Sequence, residues 1–231
     1  MEGKIQTNVD LKYFKKQIEI EKVLKAKKNQ YTYLVSHKNN SYMLKGLVVK
    51  LQSKDKVGAF KESKICEVYK EYYLIEALSK INSYILKPLY MDYSIYVPDS
   101  SSNMCLEIIY EYDGVSLETL TPLSIDRAYN LMYQLTEVIS LLHNLGVEGL
   151  DVNPSNMLYD DQNNLLKLAI PDAQQEPAMK IQGMDLIFAP SELLKVKESV
   201  NAEISLKVVD VYCWAMTFYF VLLNRRILSW L

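Results

Sequence analysis

The stretch VEGLDVNPSNMLYDDQNNLLKLA, from Val147 to Ala169, gathers Asp151, Asn153 and Asn156 around Pro154 and then runs into alternating apolar residues. Proline locks its own φ and stiffens the turn. Polar side chains at that spacing suit a loop that grips something charged. The pattern Asp151-x-Asn153-x-Ser155 also matches the start of a calcium loop. Such a loop needs glycine where Asn156 stands and a bidentate glutamate where Gln162 stands, so that reading fails. Cys66, Cys105 and Cys213 lie far apart, with no CxxC or Cys/His spacing. They argue against a disulfide framework and a structural zinc, and each is expected to be a reduced, buried small residue.

The elements that position this loop have to come from a chain of 231 residues, enough for one large domain or two small ones with a sizeable core. Apolar residues make up 49% and charged residues 23%, the balance of a soluble globular protein. The net charge of -2 supplies no global basic field, so no nucleic-acid partner is expected. Lysines crowd the first 70 residues and read as a solvated surface. The N-terminal MEGKIQTNVDLKYFKK has no apolar core of a secretory signal, so the expected location is intracellular, in the cytoplasm. The longest apolar run, Val211 to Leu223, falls short of the roughly 20 residues that span a bilayer. It reads as a buried core helix, with no membrane span expected.

Ile18–Leu24, Tyr31–Ser36 and Tyr42–Lys50 are rich in Tyr, Val, Ile and Leu, and Lys/Asn turns separate them, as expected of strands. Phe60, Ile65, Val68, Tyr72, Ile75 and Leu78 recur at helical spacing. Two further strands are expected around Pro88–Val97 and Cys105–Tyr112. After Gly114 the pattern turns helical. Thr121-Pro122 and Ser124 with Asp126 mark a helix start, Ala128, Leu131, Leu135, Val138, Leu142 and Leu145 share a face, and Gly146 ends it. NMLY and LLKLA flank DDQNN as a short hairpin. Residues 170–188 read as irregular, PSELLKV as a short helix and Leu206–Leu223 as a long one. The expected class is α+β: a small five-stranded lobe with one helix, about residues 1–112, then a mostly helical lobe, about 113–231, with a ligand cleft between them.

Taken in order along the chain, these pieces resemble the eukaryotic protein kinase fold. LHNLGVEGLDVNPSNMLY is similar to the family's catalytic loop, SYMLKGL to its third strand, LEIIYEYDGVSLETL to its interlobe hinge, FAPSELL to the end of its activation loop and KVVDVYCWAM to its central C-lobe helix. The resemblance implies that Asp151 accepts the substrate hydroxyl's proton, that Asn156 holds a magnesium ion and that Lys45 pairs with the ATP phosphates. It also implies that Tyr110 guards the back of the pocket, that the backbone at Glu111 and Tyr112 meets the adenine, and that Asp210 braces the loop backbone. The family's helix glutamate counts onto Leu74, with Glu71 one turn earlier as the substitute.

The departures from the family fall on the groups that handle phosphate. Lys25, Lys27 and Gln30 stand where glycines would close over it. Ile170 takes the place of the metal-binding aspartate, with Asp172 two residues on, beyond Pro171. Gly149-Leu150 replace His-Arg, Asn153 replaces a lysine, Met43 replaces the small residue beside adenine, and Ser191 replaces a glutamate. The chain stops at Leu231, about where the family's central helix ends. Phosphoryl transfer relies on positioning and charge stabilisation, so these losses reinforce each other. The expectation is a pseudokinase that acts by binding or scaffolding a protein partner, an active kinase or a protein substrate, with weak or absent binding of ATP and Mg. The alternative is a divergent Ser/Thr-type kinase that transfers the ATP γ-phosphate. A third reading is a fragment whose central helix exposes an apolar face.

Overall fold

The computed structural model describes residues 18–27, 30–38, 40–50, 57–96, 103–112, 114–120, 122–170, 184–185, 187–193 and 204–224. The tyrosine-rich and β-branched runs at the start form strands β1 (Glu19–Lys27), β2 (Gln30–His37), β3 (Asn40–Lys50), β4 (Pro88–Tyr96) and β5 (Asn103–Glu111). They pair antiparallel in the order β1-β2-β3-β5-β4. Helix α1 (Val57–Ile81) is inserted after β3 and buries Glu71, Ile75 and Leu78 at spacings of four and three. Tyr72 on α1 donates its hydroxyl to the Leu89 carbonyl of β4. The described residues within Met1–Glu76 and Lys87–Tyr112 make one compact unit, and those within Ala77–Leu86 and Asp113–Leu231 make another.

Side chains alternate across the sheet, so each of its faces has its own chemistry. One face packs Ile18, Tyr33, Val35, Leu44 and Ile109 into an apolar cluster. The register sets Tyr31 opposite Gly46 and Gly46 opposite Glu107 in one row across β2, β3 and β5. A Cβ at Gly46 would lie 2.0 Å from Cζ of Tyr31, so glycine is what lets that ring lie across β3. The Tyr31 hydroxyl donates to Glu107 Oε1, and Glu107 is only 3% exposed. The opposite face carries Met43, Lys45, Ile108 and Tyr110.

In the second unit, β6 (Val115–Ser116), β7 (Met157–Asp160) and β8 (Leu165–Leu168) make a three-stranded sheet. The hairpin of β7 and β8 matches the reading of NMLY and LLKLA. Strand β6 and the one-turn helix α2 (Leu117–Leu120) were not expected, because elements this short carry no hydrophobic period. Gly114 enters β6 at φ +110, and a Cβ there would meet the Tyr159 carbonyl oxygen at 2.5 Å. Helix α3 (Ile125–Asn144) buries Ala128, Leu131, Leu135, Val138 and Leu142 as the periodicity predicts, but Leu145, expected on the same face, caps the helix and is 55% exposed. It also buries Gln134, whose Nε2 donates to the Asn164 carbonyl and whose Oε1 accepts from the Leu166 N–H. One buried carboxamide thus fastens the hairpin to the helix.

Helix α4 (Leu206–Leu223) corrects the expectation of a wholly buried element. It buries Leu206, Val209, Asp210, Cys213, Met216, Thr217, Phe220 and Val221, but Val208 is 64% and Val211 58% exposed. By length and composition alone α4 could cross a membrane. Its buried aspartate, tied to the second unit's own backbone as described below, marks it as a core helix. The cysteines need a second correction: Cys213 is buried, Cys105 is half-buried and Cys66 is exposed. Cys66 lies on α1 outside the buried stripe of Glu71, Ile75 and Leu78, where the periodic pattern gives it no packing role.

Burial pushes the Glu107 carboxyl above its ordinary value of 4.5, the hydrogen bond from Tyr31 pulls it partly back, and Asp92 adds to the rise. A carboxyl raised on folding holds a proton in the native chain that the unfolded chain has already lost. Stability contributed by Glu107 is therefore greatest at acid pH and declines as pH climbs from 4.5 through the native value. Urea melts at a series of pH values should show this decline, and Glu107→Gln should flatten it. A variant with the wild-type pH profile would exclude Glu107 as its source.

Candidate functional site

The loop 147–156 takes its shape from α4. Asp210, 0% exposed, accepts the Leu150 N–H on Oδ1 at 2.7 Å and the Gly149 N–H on Oδ2 at 2.9 Å. His143, in the last turn of α3, brings Nε2 to 2.9 Å from the same Oδ2. Burial raises the Asp210 carboxyl, while the bonds to His143, Leu150 and Gly149 work against that rise. Gly149 adopts φ +74, which glycine takes without steric cost. Asp151 follows at φ +48, unusual for a residue with a Cβ.

Local hydrogen bonds hold Asp151 in that conformation. Its carbonyl oxygen accepts from Asn153 Nδ2 at 2.7 Å and from Asn156 Nδ2 at 2.8 Å. Asn153 caps the 3-10 turn Pro154–Asn156 by accepting from the Ser155 N–H at 3.0 Å. Thr217 of α4 donates to the Val152 carbonyl at 3.5 Å. The Asp151 carboxylate is buried: Oδ2 accepts from Asn156 Nδ2 at 3.0 Å, and Oδ1 accepts from the Asp185 N–H at 2.8 Å. The Ala169 N–H donates to the Asn156 carbonyl at 2.9 Å, which ties the residue after β8 to the loop.

In the first unit, Lys45 Nζ lies 3.5 Å from Glu71 Oε1, both side chains largely buried. Leu74, where the family's glutamate counts, does not take that place. Met43 and Tyr110 are cross-strand partners, both buried, on the face that carries Lys45. The Glu111 N–H donates to the Lys87 carbonyl at 3.1 Å. Tyr112 is half-buried, and burial followed by Glu21 raises its phenol. The structure thus brings Lys45 to Glu71, and Asp151 to Asn156 and, through the loop, to Asp210.

Ile170, two residues past β8, is 3% exposed. Asp172 and the side chains of Lys25, Lys27 and Gln30 lie outside the described residues. Ser191 is exposed and donates to its neighbour Glu192. Among the described residues, no group of three or more His, Cys, Asp or Glu is placed to hold a metal ion. His143, Gln134 and Asp185 were not singled out from the sequence. The first two sit within the amphipathic pattern of α3 and Asp185 in an irregular stretch, so none carried a local signal.

The chain is similar to R436 of Acanthamoeba polyphaga mimivirus, provisionally named a serine/threonine-protein kinase: 25% identical over 146 residues, covering 57% of this chain and 51% of that protein. Its fold is similar to a crystal structure of Rad53 1-466 in complex with AMP-PNP, with a TM-score of 0.58 and 14% identity, covering 90% of this chain and 48% of that one. No family model matches the chain. It spans about half the length of each of these two proteins. The chain is therefore kinase-like, with a mixed α+β protein kinase fold.

Replacing Asp210 by alanine leaves two buried N–H groups without their acceptor, so Asp210→Ala should cost about 3–5 kcal/mol. Denaturant unfolding measures it. A loss under about 1 kcal/mol would mean that the loop does not depend on this carboxylate.

Proposed function

We propose that this chain is a pseudokinase-like domain that retains the fold and acts through contacts with a protein partner, an active kinase or a protein substrate, inside the cell. The observation that carries the reading is Ile170, apolar and 3% exposed, where the resemblance calls for a metal-binding carboxylate. An isoleucine offers no oxygen to a hard cation. Asn156 donates to Asp151 through Nδ2 and keeps only a neutral carboxamide oxygen to offer, so among the described residues no carboxylate stands in for the one that Ile170 replaces. Met43, buried on the Lys45 face, adds bulk where adenine needs room. Weak or absent ATP binding follows from the same features.

Two observations favour a second reading, a divergent Ser/Thr-type kinase. Lys45 has its carboxylate partner, and Asp151 and Asn156 are assembled side by side. The Rad53 structure holds AMP-PNP, so a nucleotide belongs to that relative's chemistry. On this reading Lys45→Ala should abolish autophosphorylation.

A thermal-shift titration with ATP, with and without magnesium or manganese, separates the cases. A ligand at about 100 times its Kd adds about 2.7 kcal/mol, enough to move a melting curve. The pseudokinase reading expects little or no shift, and equal labelling of wild type and Lys45→Ala by radioactive ATP. A metal-dependent shift together with labelling that Lys45→Ala removes would overturn it.

A further inference from the structure

The Asp151 carboxylate faces a donor that the catalytic reading does not use, the backbone N–H of Asp185, 2.8 Å from Oδ1. Asp185 is well placed to offer it. Its own Oδ1 accepts the Ile187 N–H at 3.0 Å, and its carbonyl accepts the Phe188 N–H at 3.2 Å. The side chain and carbonyl are thus spent within the turn, while the N–H points out of it to Asp151. The stretch that follows is packed down: Phe188, Ala189, Pro190 and Leu193 are buried. Phe188 meets Phe220 of α4 edge-on, with ring centroids 5.7 Å apart.

We propose that Asp151 is a positioning residue whose carboxylate docks the stretch holding residues 184–185 and 187–193 onto the loop 147–156, so that loop, stretch and α4 form one structural piece. The two carboxylate oxygens have separate tasks: Oδ2 faces the Asn156 amide and Oδ1 the Asp185 N–H. A carboxylate is needed because both donors must meet an acceptor, and a carboxamide has only one oxygen to offer. Losing the Asp185 bond leaves that N–H, beside a buried group, with no replacement acceptor on the Asp151 side chain. The dock therefore depends on an acceptor oxygen on the side chain of residue 151. It stands whether or not phosphoryl transfer survives, because it concerns a backbone amide and not a reacting atom.

Amide hydrogen exchange of the whole chain, read by NMR, tests it without any activity assay. In the unaltered protein the Asp185 amide should exchange about a hundredfold or more slowly than an unstructured amide. An unprotected Asp185 amide overturns the proposal outright. Asp151→Asn keeps one oxygen for the Asp185 N–H, so the deciding variant is Asp151→Ala, which offers none: its Asp185 amide should exchange about tenfold faster or more, and the amides of residues 187–193 with it, while the amides of α3 keep their protection. If Asp151→Ala does not fold, Asp151→Gly, which takes φ +48 without steric cost and also lacks the acceptor, decides. An Asp185 amide within about twofold of wild type in the folded Ala or Gly variant would show that α4 packing alone holds the stretch and would overturn the proposal.

Discussion

The second unit is organised around one uncompromising requirement: a carboxylate with no exposure to water must be met by donors. Desolvating such a group costs several kcal/mol, which only well-placed hydrogen bonds return. Asp210 finds them in the Gly149 and Leu150 N–H groups and in His143. That demand fixes the path of the loop. With two successive N–H groups aimed at one side chain, the backbone must turn sharply, and it does so with positive φ at Gly149 and again at Asp151. For a residue with a Cβ the left-handed conformation costs about 1–3 kcal/mol. The amides of Asn153 and Asn156 offset it, because both donate to the Asp151 carbonyl. The carboxamides that look from the sequence like ligands for something charged are thus first of all ligands for the loop's own backbone.

The five-stranded sheet solves a similar problem on each face. Lys45 and Glu107 are offset by one row and point to opposite sides. Lys45 meets Glu71 of α1. Glu107 meets Tyr31, whose ring reaches it only because Gly46 has no Cβ. Both charged groups are half-buried or buried, and neither could be swapped to the other face without losing its partner. A one-residue slip of register would bring Lys45 under the Tyr31 ring and Glu107 toward α1, so these polar pairs fix the register as firmly as the apolar cluster does.

Much of this was legible in the sequence. The inserted helix and α3 follow from apolar residues at helical spacing, the five strands and the β7–β8 hairpin from runs rich in apolar and tyrosine residues between turn residues, and α4 from its long apolar run. The exchange of Leu74 for Glu71 was legible too, and its reason is geometric: three residues are close to one helical turn, so a side chain moved that far back still looks at the same strand. What the pattern did not report were elements too short to have a period, such as β6 and α2. It also missed polar residues whose partners lie far off in sequence, such as Gln134 and His143. The exposed side of α4 was hidden for the opposite reason, since an apolar residue reads the same whether it is covered or not.

The geometry of the loop and the chemistry of phosphoryl transfer rest on different physics. The loop's shape needs neutral carboxamides, backbone amides and one buried carboxylate, all present and mutually satisfied. Transfer needs unscreened positive charge and a cation held by oxygen atoms at the place where negative charge develops. The second set can therefore change without disturbing the first, since among the described residues the hydrogen bonds that shape the loop run through Asp210, Asn153, Asn156 and Ala169. Substituting an apolar residue for a carboxylate removes a charge that would otherwise need solvent or a metal, and lets the position join the core. Ile170 fits that description: buried, two residues past β8, one residue after the Ala169 N–H that binds the Asn156 carbonyl. A buried apolar side chain there adds to the packing, where a carboxylate would need a partner.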